Sequence, residues 1–295
     1  MTRTTTGTVA VLGLGTMGSG LAARLLDRGM QVRVWNRTPE RAEPLAAAGA
    51  FVAAHPADAV AGTSAAVCVV ADGEALGSVL RGPHGILSKG SYPGVLVCAS
   101  TVSPEEVVQI AGDIPSVVDV GMLGNRDHAR DGELRLFVGG EEQAFAACRP
   151  LLEALGKEVV HLGALGSGMR MKLCLNLLMG IEVQALAEVT ELATACGLDR
   201  QAVLKTVAGS GFASPVMAFK SRRLGSGRFE EPDFRLRLMA KDLMLATKQA
   251  AAAGLSLPLA TAAAETHVRA TEQGLGDQDC AAVTRALTEK PGSDT

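Results

Sequence analysis

The glycines of Gly13-Leu14-Gly15-Thr16-Met17-Gly18 stand between an apolar run, Val9 to Leu12, and a stretch where Leu21, Leu25 and Leu26 recur at helical spacing until Gly29. A strand that turns sharply into a helix offers backbone N–H groups and a positive dipole end to a phosphate. Gly13 permits the tight turn, Gly15 lets the backbone approach a pyrophosphate, and Gly18 lets the helix pack on the sheet. A second strand, Gln31 to Trp35, leads into Asn36-Arg37-Thr38, about 20 residues past the glycines, where such a fold meets the adenosine ribose. A carboxylate there would repel a 2′-phosphate. Asn36 can donate to one, and Arg37 offers it a planar charged fork, so the expected cofactor is NADPH or its oxidised form, NADP. Further along, Lys172 and Asn176 are four apart in a helical stretch and point the same way. Reduction of a carbonyl needs a proton donor beside the oxygen that becomes the alcohol. A desolvated lysine at a domain interface can supply that proton, and Asn176 could fix the lysine or hold the substrate.

These groups need a scaffold, and the pattern supplies one. After Gly49, short apolar runs at Ala65 to Val70, Val95 to Cys98, Val117 to Val120, Leu134 to Val138 and Val159 to Leu162 alternate with helical patterns. Such alternation predicts an α/β fold with a mostly parallel, doubly wound sheet of Rossmann type. Ser103-Pro104-Glu105-Glu106 has the form of a capping box with proline at the first helical position. From Gly163, Gly166 and Gly168 the texture changes, and Met169 to Cys196 reads as one helix of nearly thirty residues closed by Gly197. Lys172, Asn176, Glu182 and Gln184 interrupt its apolar run short of about 18 residues, so it is expected to be a buried helix and not a membrane span. Helical stretches follow at Arg200 to Ala208, Pro215 to Arg223, Arg235 to Ala253 and Pro258 to Gln273. The expected domains are therefore 1–164, an NADP-binding sheet domain, and 165–295, an all-α domain for substrate binding and dimerisation. Gly225 to Pro232 is expected to be the most flexible internal connection, and the end from Lys290 to be disordered.

The chain has 295 residues, of which 47% are hydrophobic and 20% charged, enough to bury a large core. Its formal net charge of -3, with no basic cluster, gives no footprint for nucleic acid or an anionic membrane. The polar start, Met1 to Gly7, resembles neither a signal nor a transit peptide. Six scattered cysteines without a C-x-x-C pair read as small reduced core residues of a cytoplasmic protein, and the five histidines lack ligand spacing, so no metal is expected.

Four separated motifs carry a resemblance that covers nearly the whole length: Gly13 to Gly18; Asp119 to Leu134; Gly166-Ser167-Gly168-Met169-Arg170-Met171-Lys172 with Asn176; and Lys241-Asp242-Leu243-Met244-Leu245-Ala246. The chain resembles the β-hydroxyacid dehydrogenase family, which includes 3-hydroxyisobutyrate dehydrogenases and glyoxylate or succinic semialdehyde reductases. The resemblance implies that Lys172 is the general acid or base, that Asn176 helps bind substrate, that Lys241 lies by the nicotinamide, and that Thr101 lies along the cofactor. Val70 and Ala71, where the run from Ala65 ends, are counted with the cofactor-binding residues. It also implies a homodimer or homotetramer, domain-swapped around the long helix.

One motif departs from the family's Asp-Ala-Pro-Val-Ser-Gly-Gly, whose serine hydroxyl and backbone N–H groups grip the substrate carboxylate. Here the sequence is Asp119-Val120-Gly121-Met122-Leu123-Gly124-Asn125, followed by Arg126-Asp127-His128. Leu123 cannot donate a hydrogen bond from its side chain, and His128 stands where the family has glycine. Either Asn125, Arg126 or His128 grips an acid group beside Leu123 and Gly124, or the substrate is larger or less acidic. The expected activity is reduction of a semialdehyde, β-keto acid or related carbonyl. Imine reduction is a variant disfavoured by Lys172, and a non-catalytic NADPH-binding module is a second class disfavoured by the intact motifs.

Overall fold

The computed structural model describes residues 7–110 and 112–288. The expectations for Met1 to Thr6 and for the end from Lys290 lie outside the described residues. The chain divides into two compact units, Met1–Lys172 and Leu173–Thr295.

The first unit opens with β1 (Thr8–Leu12), α1 (Thr16–Asp27) and β2 (Gln31–Trp35), then α2 (Glu43–Ala47), β3 (Phe51–Val52), α3 (Pro56–Val60) and β4 (Ala65–Cys68). It continues through α4 (Gly73–Arg81), β5 (Val95–Cys98), α5 (Pro104–Ile110), β6 (Val117–Leu123), α6 (Arg126–Asp131), β7 (Leu134–Gly140), α7 (Glu142–Leu155) and β8 (Gly156–His161). The eight strands form one sheet in the order β3-β2-β1-β4-β5-β6-β7-β8, with β6 and β7 antiparallel and the other neighbours parallel. Strand residues alternate between two cores. Val9 and Val11 pack with Leu21 and Leu25 of α1 on one face, whereas Ala10 and Leu12 pack with Leu76 of α4 and Val107 of α5 on the other. Burial on both faces is why these strands read as continuous apolar runs. The strand order reverses between β1 and β4, and a ligand crevice opens at the carboxyl ends of strands at such a switch point. The two-residue β3 was not legible, because both its residues are exposed on an edge strand.

The second unit is helical. It holds most of α8 (Ser167–Ala195), then α9 (Arg200–Ala208), α10 (Pro215–Ser226), α11 (Leu236–Ala252), α12 (Pro258–Ala270) and α13 (Arg285–Thr288). Three expectations need correction. By length and composition α8 is apolar enough to cross a membrane, and it is not wholly buried, since Leu178, Val189 and Leu192 are exposed. Of its buried polar side chains, Thr190 Oγ1 donates to the Leu186 carbonyl at 2.7 Å and Gln184 Nε2 to Glu188 at 2.7 Å, while Gln184 Oε1 has no partner among the described residues. The connection Gly225 to Pro232 is tied down. Gly225 and Ser226 belong to α10, Phe229 is buried, and the Phe229 carbonyl accepts the Asp279 N–H at 2.8 Å. Cys174 and Cys196 are exposed, and only Cys68, Cys98, Cys148 and Cys280 are core thiols.

Candidate active site

The glycine turn follows β1 directly. The Gly13 N–H donates to the Trp35 carbonyl at 2.9 Å, which pins the turn to the end of β2. A Cβ on Gly13 would lie 2.2 Å from the Val69 carbonyl oxygen, and one on Gly18 would lie 1.9 Å from the Gly13 carbonyl oxygen. Both positions therefore admit no side chain, and Gly13 also has φ of 95°. A Cβ on Gly15 would meet nothing within 4 Å, so the backbone there faces open space. Gly15 is also the N-cap of α1, with no side chain capping it and no acidic residue in the first turn. A helix start left uncapped beside an open glycine fits a pyrophosphate group.

Asn36 has a part in this turn that the sequence reading did not foresee. Its Oδ1 accepts the Leu14 N–H at 2.8 Å and its Nδ2 donates to the Thr38 carbonyl at 2.8 Å. The amide thus links the turn to the loop after β2, and the adjacent Arg37 is exposed and forms no ion pair among the described residues. Leu14 has its side chain in the core and its N–H committed to Asn36. Thr16 is exposed, whereas Met17 is half-buried and packs against the core. At the ends of β4 and β5, the Val70 N–H donates to Ser100 Oγ at 2.8 Å, and that hydroxyl donates to the Cys68 carbonyl at 3.2 Å. Ala71 is exposed beyond Val70, and Thr101 is half-buried next to Ser100.

Lys172 closes the first unit. Its Nζ donates to the Met122 carbonyl at 2.8 Å, one residue before β6 ends at Leu123. Asp119, fully buried on the same strand, accepts the Gly166 N–H at 2.7 Å and the Met169 N–H at 2.6 Å and so caps the start of α8. Burial pushes the Asp119 carboxyl up in pKa, against the pull of those two donors. A Cβ on Gly121 would lie 2.6 Å from the Gly168 carbonyl oxygen and 3.0 Å from Lys172 Cβ, so glycine at 121 is what lets the helix sit on β6. Leu123 is 37% exposed. Beyond it, Asn125 and His128 form a reciprocal capping box at the start of α6.

Within the second unit, Asn176 is buried and its Nδ2 donates to Asp242 Oδ2 at 2.5 Å. Lys241 Nζ lies 2.7 Å from Asp242 Oδ1. The structure thus joins Asn176 and Lys241 through one buried carboxylate. Asp119, Asp242 and Ser100 are the residues that the sequence reading left without roles. Asp242 and Ser100 stand next to assigned residues, Lys241 and Thr101, but the partners of all three are as much as 66 positions away, beyond any local spacing rule.

A doubly wound sheet with an open glycine turn at its switch point, followed by a helical unit, defines a dinucleotide-binding protein. A family model for the NAD binding domain of 6-phosphogluconate dehydrogenase matches residues 8–163, and one for the NAD-binding region of NADP-dependent 3-hydroxyisobutyrate dehydrogenase matches residues 166–287. Glyoxylate/succinic semialdehyde reductase 1 of Arabidopsis thaliana is 31% identical across 95% of this chain and 98% of its own. The cytokine-like nuclear factor N-PAC of Xenopus tropicalis is 34% identical over 94% of this chain. The chain spans about half the length, 53%, of that relative. The crystal structure of 3-hydroxyisobutyrate dehydrogenase from Salmonella typhimurium superposes with a TM-score of 0.87 at 26% identity, covering 94% of this chain and 99% of that one. The chain belongs to the 3-hydroxyisobutyrate dehydrogenase-like β-hydroxyacid dehydrogenase family of NAD(P)-binding oxidoreductases.

Proposed function

We propose that this protein interconverts a carbonyl compound, a semialdehyde, β-keto acid or related metabolite, and its hydroxy form with NADPH, and that Lys172 is the general acid or base. Residues 1–164 would hold the cofactor: the Gly13 to Gly18 turn would take its pyrophosphate and Arg37 its 2′-phosphate. Asn36 would set Arg37 in place. Residues 165–295 would supply Asn176 and Lys241 and carry the assembly into a dimer or tetramer, in a cytoplasmic protein that does not cross the membrane. NADPH, when bound, supplies the hydride. Lys172 gives a proton to the carbonyl oxygen in reduction, and in the reverse direction takes it from the alcohol.

The observation that carries this reading is the Lys172 ammonium held at 2.8 Å by the Met122 carbonyl, at the mouth of the altered loop. The reading is tested by NADPH oxidation against glyoxylate, succinic semialdehyde, methylmalonate semialdehyde, hexanal, benzaldehyde and a cyclic imine. Turnover of at least one carbonyl is expected, and Lys172→Ala should lower it by about a hundredfold while leaving NADPH affinity nearly intact. Near wild-type turnover in the variant would remove Lys172 from the chemistry. A relative named as a nuclear factor and not as an enzyme favours a second reading, in which this chain binds the nucleotide without catalysis. NADPH binding with no turnover of any panel compound is the result that reading expects.

A further inference from the structure

We propose that His128 is a positioning residue for Lys172, acting through a capping box that holds only while its imidazole is neutral. The inference rests on the reading of Lys172 as proton donor. The Asn125 N–H donates to His128 Nδ1 at 3.2 Å, and the His128 N–H donates to Asn125 Oδ1 at 3.0 Å. Together these bonds join Asn125 to His128 just after Gly124, which has φ of 144° and follows the last residue of β6, Leu123. A Cβ on Gly124 would lie 3.0 Å from His128 Cβ, so the histidine closes directly over the turn. Met122, the residue before that turn, presents the carbonyl that receives Lys172. The box and the ammonium therefore hold the two ends of one short segment.

An imidazole nitrogen that accepts a hydrogen bond carries no proton, which places the ring proton on Nε2. Imidazolium has an N–H on both nitrogens. Its Nδ1–H would face the Asn125 N–H, and one bond of the box would become an opposition of two donors. Capping boxes ordinarily have Glu or Gln at this third position, and Gln keeps its acceptor at every pH. Histidine does not, because protonation takes that acceptor away.

Among the described residues, no other titratable group takes part in the box. Arg126, Asp127, Arg130 and Asp131 lie on α6 itself. From α1, packed against α6, Asp27 pairs with Arg130, and the Arg24 guanidinium lies beside Gly132 while donating to the Ala154 carbonyl. Glu133, before β7, donates its N–H to the His128 carbonyl and carries its carboxylate 3.8 Å from Lys157.

The test reads Lys172 itself. In protein labelled with 13C-lysine, the Lys172 Cε resonance, assigned by its loss in Lys172→Arg, is followed from about pH 8 to about pH 5, the span in which imidazole changes charge. Wild type and His128→Gln are compared. A shift on acidification in wild type that is abolished in His128→Gln is expected, and the same response in both proteins overturns the proposal. In NADPH oxidation with succinic semialdehyde or benzaldehyde, wild-type kcat should fall on acidification about tenfold more than that of His128→Gln. His128→Ala should be slow at every pH. Parallel pH profiles for wild type and His128→Gln also overturn the proposal. If wild type turns over no carbonyl of the wider panel, the catalytic reading falls, and the resonance alone decides whether His128 governs Lys172.

Discussion

Arg37 is exposed one residue past Asn36, whose amide is spent on the glycine turn and on Thr38, so discrimination between the two nicotinamide cofactors should rest on the guanidinium. NADPH should bind more tightly than NADH by roughly 1.5 to 3 kcal/mol, the range of a charge-assisted hydrogen bond. Isothermal titration of Arg37→Ala should show the preference gone and NADH affinity unchanged; equal weakening of both cofactors would contradict the assignment. Leu123 is the second residue with a separable effect. It is 37% exposed at the end of β6, where relatives of this family place a hydroxyl. Wild type should therefore turn over methylmalonate semialdehyde and glyoxylate poorly compared with a bulkier or less acidic aldehyde. Leu123→Ser should reverse that order by about 1.5 to 3 kcal/mol in kcat/KM, since specificity is a difference between two affinities. An unchanged ratio between the two substrates would count against the loop as the seat of selectivity. The glycine turn was legible because its spacing is local. The partners of Asp119 and Asp242 were not, because Asp119 reaches Met169 across 50 positions and Asp242 reaches Asn176 across 66.

At the scale of elements, caps and apolar periodicity told most. Ser103 and Glu106 form the expected reciprocal box, the Ser103 N–H donating to Glu106 at 2.8 Å and the Glu106 N–H to Ser103 Oγ at 3.2 Å. Gly197, with φ of 87°, stands just past α8 as expected. Where a segment is fixed by a distant ionic partner the pattern failed, and Gly225 to Pro232 is the example. Its neighbour Asp233 donates a backbone N–H to the Asp279 carboxylate at 2.9 Å, and no local signal announces that bond. Helix α12 adds a pH dependence. His267 is fully buried, its Nδ1 is 2.8 Å from the Ala263 carbonyl oxygen, and burial holds its pKa down at about 4. The unfolded chain takes this proton near pH 6.5, before the folded one does. Stability is thus fully present above about pH 6.5 and is lost as the pH falls toward 4, by an amount on the order of 3 kcal/mol. Urea melts at about pH 7 and pH 4.5 should show this slope in wild type and a flatter one in His267→Leu. Equal slopes would assign the acid sensitivity to other groups.

For the whole molecule, the apolar surface of the helical unit is the main unanswered demand. Leu178, Val189 and Leu192 are 54%, 47% and 67% exposed, and at their spacing they share one stripe of α8. A second copy of the chain would cover that stripe in the proposed assembly. Leu192→Lys should then weaken self-association by roughly 1.5 to 3 kcal/mol, about ten- to a hundredfold. Sedimentation velocity would read the shift, and a wild-type monomer at all concentrations would remove the stripe from the interface. A different consequence follows from the buried pair of Lys220 and Asp279. Both oxygens of Asp279 lie 2.8 Å from the lysine, and the carboxylate also receives the backbone of Asp233 and Ala281. Cys280, Ala281, Ala282 and Val283 then fill the centre of a core that begins with Val183, Leu186 and Ala187 on α8. A ribosome makes α8 long before it makes these residues. Until they emerge, the nascent helix has no completed core to enter, so an unusually apolar segment must wait in the company of chaperones or of its own kind. The order of synthesis, which the finished fold conceals, makes residues 280–283 the step that completes the core which the buried face of α8 enters.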